Sequence, residues 1–299
     1  MSEITKTAIL SVVGRPNVGK STLVNRLVGF KVAIVSSKPQ TTRTRITGVL
    51  TQEDCQFVFL DTPGLHKPRS RLGDFMVKVV TDTVAAVDAA VLVVEPVPQI
   101  GPAEEALLGQ IKEAEIPAVL VINKIDTAPH ESLLEVIAAY AARHDFDAVV
   151  PVSARTGEGL DALLGELKTF ALEGPALFPE DMVSDQPERQ IAAEIIREKL
   201  LYYLDREVPH GVAVGIERWN ERSDGLTEVN ATIYCEKASH KGIIIGKNGE
   251  MLKRIGKAAR IDMEKNFDRR IFLELWVKVK EDWRNNTYQM RNFGYESQS

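Results

Sequence analysis

Between an apolar run at Thr7–Val13 and a helical pattern at Ser21–Val28, the chain reads GRPNVGKS, Gly14 to Ser21. No other stretch limits the fold as strongly. It matches G-x-x-x-x-G-K-[ST], and it sits in the context that motif needs, after a strand and before a helix. Its glycines let the backbone curl until successive N–H groups converge on an anion. The helix opening near Lys20 adds its N-terminal partial positive charge. Such a loop belongs at the carboxyl end of a strand in an open, mostly parallel sheet.

The rest of the front half supplies that sheet. Phe57–Leu60, Ala89–Val94, Ala118–Ile122 and Ala148–Val152 have strand length and are rich in Val, Ile and Leu. Helix-like patterns lie between them, at Ala103–Ala114, Ser132–Arg143 and Leu160–Leu172. This alternation predicts an α/β domain over residues 1–172, with a mostly parallel sheet and helices on both faces. With 299 residues the chain has room for a second domain. Residues 173–190 hold Pro175, Pro179 and Pro187 and break the alternation, so they read as a linker. Residues 191–299 then change order. Helical periodicity at Glu188–Arg206 leads into strand-like Val212–Trp219 and Glu228–Tyr234, around a turn at Asn220–Gly225. Two helices flank Gly246–Gly249, a strand covers Arg270–Val279, and a last helix covers Asp282–Arg291. The order αββααβ plus one helix predicts a smaller α+β domain.

Hydrophobic residues make up 44% and charged residues 26%, which is ordinary for a water-soluble globular protein. Two cysteines, Cys55 and Cys235, form no metal-type spacing, so a reducing, cytoplasmic setting is expected. The opening MSEITKTAILSVVG lacks a basic leader and a long apolar run, so a signal peptide is not expected. Net charge is −5, but it is unevenly placed. Residues 237–270 hold 10 basic and 4 acidic side chains, a local excess of +6. A basic stretch in an acidic chain points to a polyanion, or to a solvated helix face.

Two further motifs sit where the strands end. Asp61-Thr62-Pro63-Gly64 follows QFVFL, where a carboxylate can hold a water on Mg²⁺ and Gly64 N–H can approach a γ-phosphate. Lys20 would neutralise β- and γ-phosphates and Ser21 would offer its hydroxyl to Mg²⁺, while Asn17, Val18, Gly19 and Thr22 complete the cradle. Val119–Ile122 runs into Asn123-Lys124-Ile125-Asp126. Guanine offers two adjacent N–H donors that one ionised carboxylate, Asp126, accepts together. Adenine would leave that carboxylate unpaired, so GTP and GDP are the expected ligands. Lys124 can lay its stem over the base, Asn123 can tie this loop to the phosphate loop, and the Ser153-Ala154 backbone can meet guanine O6.

In this order GRPNVGKS, PQTTRTR, DTPG, NKID and SAR resemble the translation-factor-related GTPases. With its C-terminal half included, the whole chain resembles the Era family of bacterial ribosome-assembly GTPases. The resemblance implies an α/β P-loop GTPase domain followed by a type II KH domain. The residues alone leave Thr41 and Thr42 open as the switch threonine; the resemblance assigns Thr42, which with Ser21 and Asp61 would hold Mg²⁺. Lys20, Thr42 and Gly64 would carry the hydrolysis, and segments 33–47 and 62–75 would be the two switches. Leu65 stands where many GTPases place a water-orienting Gln, which implies slow intrinsic turnover. Asn17 occupies the position that in related GTPases helps hold K⁺. Arg43 and Arg45 read as solvated switch residues, with a cis arginine finger as the alternative.

In the KH-like half, Gly246-Lys247-Asn248-Gly249 joins two helices with no side chain at either glycine. A single-stranded nucleic-acid backbone can reach the main chain there. Ile243, Ile244 and Ile245 would floor the groove, and Lys241, Lys247, Lys253 and Arg254 would charge it. The resemblance names the partner as the 3′ end of small-subunit ribosomal RNA and the 30S subunit. It also implies a monomer with a peripheral contact at the inner membrane face. From physics alone the tail Phe293–Tyr295 reads as a packing cap. The competing reading is a GTPase of tRNA modification, or one acting on a protein partner.

Overall fold

Alternate residues of a strand face opposite sides, so a continuous apolar run feeds two cores at once. In the computed structural model, which describes residues 4–65, 68, 70–129 and 131–295, β4 (Ala89–Val94) is buried at all six positions. Ala89, Val91 and Val93 enter one cluster. Ala90, Leu92 and Val94 enter the other. β1 (Lys6–Val13) and β5 (Ala118–Ile122) split in the same way. Helices α1 (Lys20–Val28) and α5 (Leu160–Lys168) pack on the first face. Helices α2 (Arg71–Val84), α3 (Pro102–Ala114) and α4 (Glu131–Ala141) cover the second.

The strand order is β2-β3-β1-β4-β5-β6, with β2 (Ile46–Gln52), β3 (Cys55–Asp61) and β6 (Ala148–Pro151). β1 pairs in parallel with both β3 and β4. β2 is antiparallel to β3. This is the expected α/β domain, with two elements the sequence reading passed over, β2 and α2.

The expected linker is corrected. β7 (Leu172–Glu173) pairs antiparallel with the start of β1. The Gln56 carboxamide accepts from Leu177 and Phe178 N–H at 2.9 Å and donates to Phe178 O at 2.9 Å. Val49 N–H donates to Val183 O at 2.9 Å. Backbone groups that a polar, proline-rich strand would leave to water are thus bonded to the sheet, so residues 173–185 belong to the first unit.

The chain divides into two compact units. One comprises Met1–Ala33, Thr42–Lys67 and Met76–Asp185; the other comprises Ile34–Thr41, Pro68–Phe75 and Gln186–Ser299. The second contains α6 (Glu188–Tyr203), β8 (Val212–Glu221), β9 (Leu226–Cys235), α7 (Ala238–Ile245), α8 (Glu250–Phe267), β10 (Arg270–Val279) and α9 (Thr287–Asn292), the predicted order. Its sheet runs β10-β9-β8; β9 and β10 are parallel, so α7 and α8 form their crossover. Ile195, Ile196, Ile233, Ile244, Ile255 and Met263 close the core. The tail packs as a cap: Trp283 is fully buried, with the Phe293 ring 5.4 Å and the Tyr295 ring 5.8 Å away. No helix among the described residues is long and apolar enough to cross a membrane.

Candidate functional site

The loop after β1 leads straight into α1, and its lysine is held inside it. Lys20 is nearly buried, and its Nζ donates to Gly14 O at 2.9 Å and Arg15 O at 3.0 Å. Burial pulls its pKa down to about 8, against the opposing pull of Asp61. Asp61, at the end of β3, is fully buried, and burial pushes its carboxyl up to about 6 although Lys20, Ser21 and Thr42 favour the charged form.

Ser21 Oγ donates to Asp61 Oδ2 at 2.7 Å and lies 3.0 Å from Thr42 Oγ1, which is 3.5 Å from the same oxygen. Asp61 Oδ1 is buried with no hydrogen-bond partner among the described residues. Two hydroxyls and an orphaned carboxylate oxygen form a hard-oxygen set of the kind Mg²⁺ takes together with phosphate oxygens and water. Thr41 is turned elsewhere, with Oγ1 donating to Lys38 O at 2.7 Å. Gly64 lies against the phosphate loop: a Cβ there would come within 2.7 Å of Pro16 N. Any side chain would push DTPG off the loop. Leu65 is buried in the same cluster as Val13, Val80 and Leu92, so its side chain is turned into the core. Arg43 is buried, which corrects its reading as a solvated switch residue, while Arg45 is exposed. Residues 66, 67 and 69 of the second expected switch lie outside the described residues.

The base loop after β5 is bound to the phosphate loop from both sides. Asn123 donates from Nδ2 to Val18 O at 2.8 Å and accepts Ala154 N–H on Oδ1 at 3.0 Å. Lys124 Nζ donates to Asn17 O at 2.6 Å and pairs with Glu95 Oε1 at 2.5 Å. Glu95 also pairs with Arg15, whose Nε is 3.0 Å from Glu104 Oε1. Both oxygens of Asp126 are engaged, Oδ1 by Ser153 Oγ at 2.5 Å and Oδ2 by Arg155 Nη2 at 2.5 Å. The Ser153 bond and then the Arg155 charge hold its carboxyl below the usual range. The sequence reading missed Arg15, Glu95 and Arg155. Only Arg155 had a local signal, a cation directly after Ser153-Ala154.

In the second unit, Gly246 at the end of α7 has φ +73° and ψ 176°, and a Cβ there would sit 2.6 Å from Met251 Cβ. One short turn, with Asn248 at φ 52°, leads through Gly249 into the N-terminus of α8. Lys241, Lys247, Asn248 and Lys253 are exposed around this loop, and Ile245 is half-buried. One expectation changes. Ile244 belongs to the core and leaves the groove floor to its neighbours, because its phase on α7 faces the sheet. Arg254 is exposed as well, with its guanidinium 4.4 Å over the Tyr203 ring.

A P-loop with an adjoining Mg²⁺-type oxygen set, a guanine-type carboxylate and a second unit built around a GxxG helix pair define a GTPase carrying a KH domain. Residues 9–124 match the family described as 50S ribosome-binding GTPase, and residues 207–284 match KH domain. The chain is 51% identical to GTPase Era of Ruminiclostridium cellulolyticum, covering 98% of both chains. It is 50% identical to GTPase Era of Clostridioides difficile, covering 97% of this chain and 98% of that one. A crystal structure of Aquifex aeolicus Era bound to GDP.AlF4- superposes with a TM-score of 0.94 at 39% identity, covering 98% of this chain and all of that one. An Era solved with MgGDPNP and nucleotides 1506–1542 of 16S ribosomal RNA gives 0.94 at 38% identity, with the same coverage. The chain belongs to the Era family of GTPases.

Proposed function

We propose that this chain hydrolyses GTP as a switch in 30S subunit assembly and grips the 3′ end of small-subunit ribosomal RNA at its GxxG groove. The observation that carries the nucleotide half is the Ser21–Thr42–Asp61 oxygen set beside Lys20. Ser21, Thr42 and Asp61, the last through water, would hold Mg²⁺, which supplies charge neutralisation at the β- and γ-phosphates when bound. Lys20 leaves its two carbonyls for those phosphates. Gly64 N–H meets the γ-phosphate, and Asp126 exchanges Arg155 for the guanine edge. Asn17 would be the residue that shares a K⁺, were one bound. Among the described residues no side chain is placed as a general base, so catalysis rests on placement and on charge stabilisation.

The RNA half rests on the open main chain at Gly246–Gly249, the α8 N-terminus behind it, and the solved Era complex with 16S ribosomal RNA. The deciding experiment titrates a labelled single-stranded oligonucleotide copying that 3′ end with protein carrying GDP or a non-hydrolysable GTP analogue. Binding in at least one state that is lost in Gly249→Asp is expected. No binding in either state would hand the fold over to the tRNA-modification or protein-partner reading.

A further inference from the structure

Helix α6 carries an arginine with no solvent exposure, and nothing in the nucleotide chemistry uses it. Arg197 is fixed by Glu194 one turn earlier, with Nε donating to Oε1 at 2.8 Å. Its other face is spent on backbone: Nη1 donates to Gln40 O at 3.4 Å and Nη2 donates to Thr41 O. The rest of that segment is bound to the same helix and to the chain just after it. Val35 N–H donates to Glu198 Oε1 at 2.9 Å. Lys38 Nζ donates to Leu204 O and pairs with Asp205 Oδ1 at 3.0 Å. The segment is also folded on itself, with Lys38 N–H on Ser36 Oγ at 3.1 Å and Thr41 Oγ1 on Lys38 O. Three separate grips on eight residues explain why Ile34–Thr41 forms part of the second unit.

The next residue in the chain is Thr42. A charge-assisted bond to the Thr41 carbonyl fixes the peptide plane from which Thr42 departs, and so where its hydroxyl can lie. With the grip closed, Thr42 Oγ1 stands 3.0 Å from Ser21 Oγ. The same helix is also tied to α8. Glu198 pairs with Lys199 at 2.9 Å, and Lys199 pairs with Asp262 on α8, the helix that starts at the GxxG loop.

We propose that Arg197 is a positioning residue for GTP hydrolysis, through which α6 sets the magnesium-binding threonine according to what α8 holds. This rests on the reading of Thr42 as a magnesium ligand.

The test measures the Mg²⁺ concentration for half-maximal GTP turnover in the full chain, with and without the saturating 16S 3′-end oligonucleotide. Arg197→Lys keeps a charge but cannot reach both carbonyls and Glu194, and should raise the requirement about tenfold. GDP affinity, which needs no Thr42, should stay within about twofold, a split that a general loss of folding would not give. Lys38→Met loosens the same segment from a partly exposed site and should move the requirement the same way by about threefold. The oligonucleotide should shift the wild-type requirement and leave that of Arg197→Lys unmoved. A folded Arg197→Lys with wild-type Mg²⁺ demand and wild-type response to RNA overturns the proposal. If that variant does not fold, an unaltered Lys38→Met overturns it instead. Thr42→Ala separates the two levels: if it leaves turnover intact, the ligand reading itself has failed.

Discussion

Asp126 shows how one carboxylate can select a base. Its two oxygens hold Ser153 and Arg155 here, and guanine needs the second of them free. Arg155 is largely exposed, so releasing it to water costs little. A buried partner would have made the exchange expensive. Asp126→Asn replaces an acceptor with a donor opposite two guanine donors. GTP affinity should fall roughly a hundredfold or more, since each bond to a charged group contributes about 1.5–3 kcal/mol. Xanthine nucleotides, with a carbonyl at position 2, should gain in the same variant. Competition of XTP and GTP for a fluorescent analogue reads both changes, and retained GTP affinity would remove the base assignment. Asp61 carries a second prediction at this scale. Burial lifts its pKa to about 6, and only the ionised form can serve a cation. As pH falls through that value a proton competes with Mg²⁺. The Mg²⁺ requirement for turnover should rise about tenfold between pH 7.5 and pH 5, as one group titrating near 6 dictates. A flat profile would mean that Asp61 stays ionised throughout.

Elements differ in how far the sequence exposes them. β1, β4 and β5 were legible because their burial on both faces writes a continuous apolar run, and the loops after β1, β3 and β5 carry their chemistry in adjacent residues. β2 was not, because ITGVLTQ is half polar and its strand state comes from pairing with β3. The proline-rich 173–185 was misread for a related reason. Its hydrogen bonds go to Gln56 and Val49, more than 120 residues earlier in the chain, and no local pattern reports them. Arg197 and Glu95 belong to the same class: side chains of ordinary surface type whose partners are set by the fold. The α7–GxxG–α8 element was legible as a loop, and its geometry adds a steric demand at Gly246. In Gly246→Ala the new Cβ would meet Met251 Cβ at 2.6 Å in a backbone region that favours glycine. Oligonucleotide affinity should drop at least tenfold, a cost of about 1–3 kcal/mol for a strained site. Turnover without RNA should be unchanged. Loss of both together would show that the loop supports the whole unit and not the groove alone.

For the whole molecule the governing fact is charge placement. The chain carries −5 overall, so at long range it repels a polyanion. Binding must then come from a short-range basic patch, and on the proposed reading the +6 of residues 237–270 supplies it. Its members are not equivalent. Lys241, Lys247, Lys253 and Arg254 are all exposed, but only Arg254 is stacked, over the Tyr203 ring of α6. Each lysine that neutralises a phosphate should contribute about −0.7 to the slope of log affinity against log salt for a single strand. Three contacts give a slope of about −2, or a loss of roughly twentyfold between 50 and 200 mM salt. Lys253→Ala should flatten that slope by about 0.7, while Arg254→Ala should leave it unaltered and act only on stability through the lost stack. Filter binding across a salt series with the three proteins separates these outcomes. A slope that flattens with Arg254→Ala and not with Lys253→Ala would place the RNA on the α6 side of α8, and the groove with it.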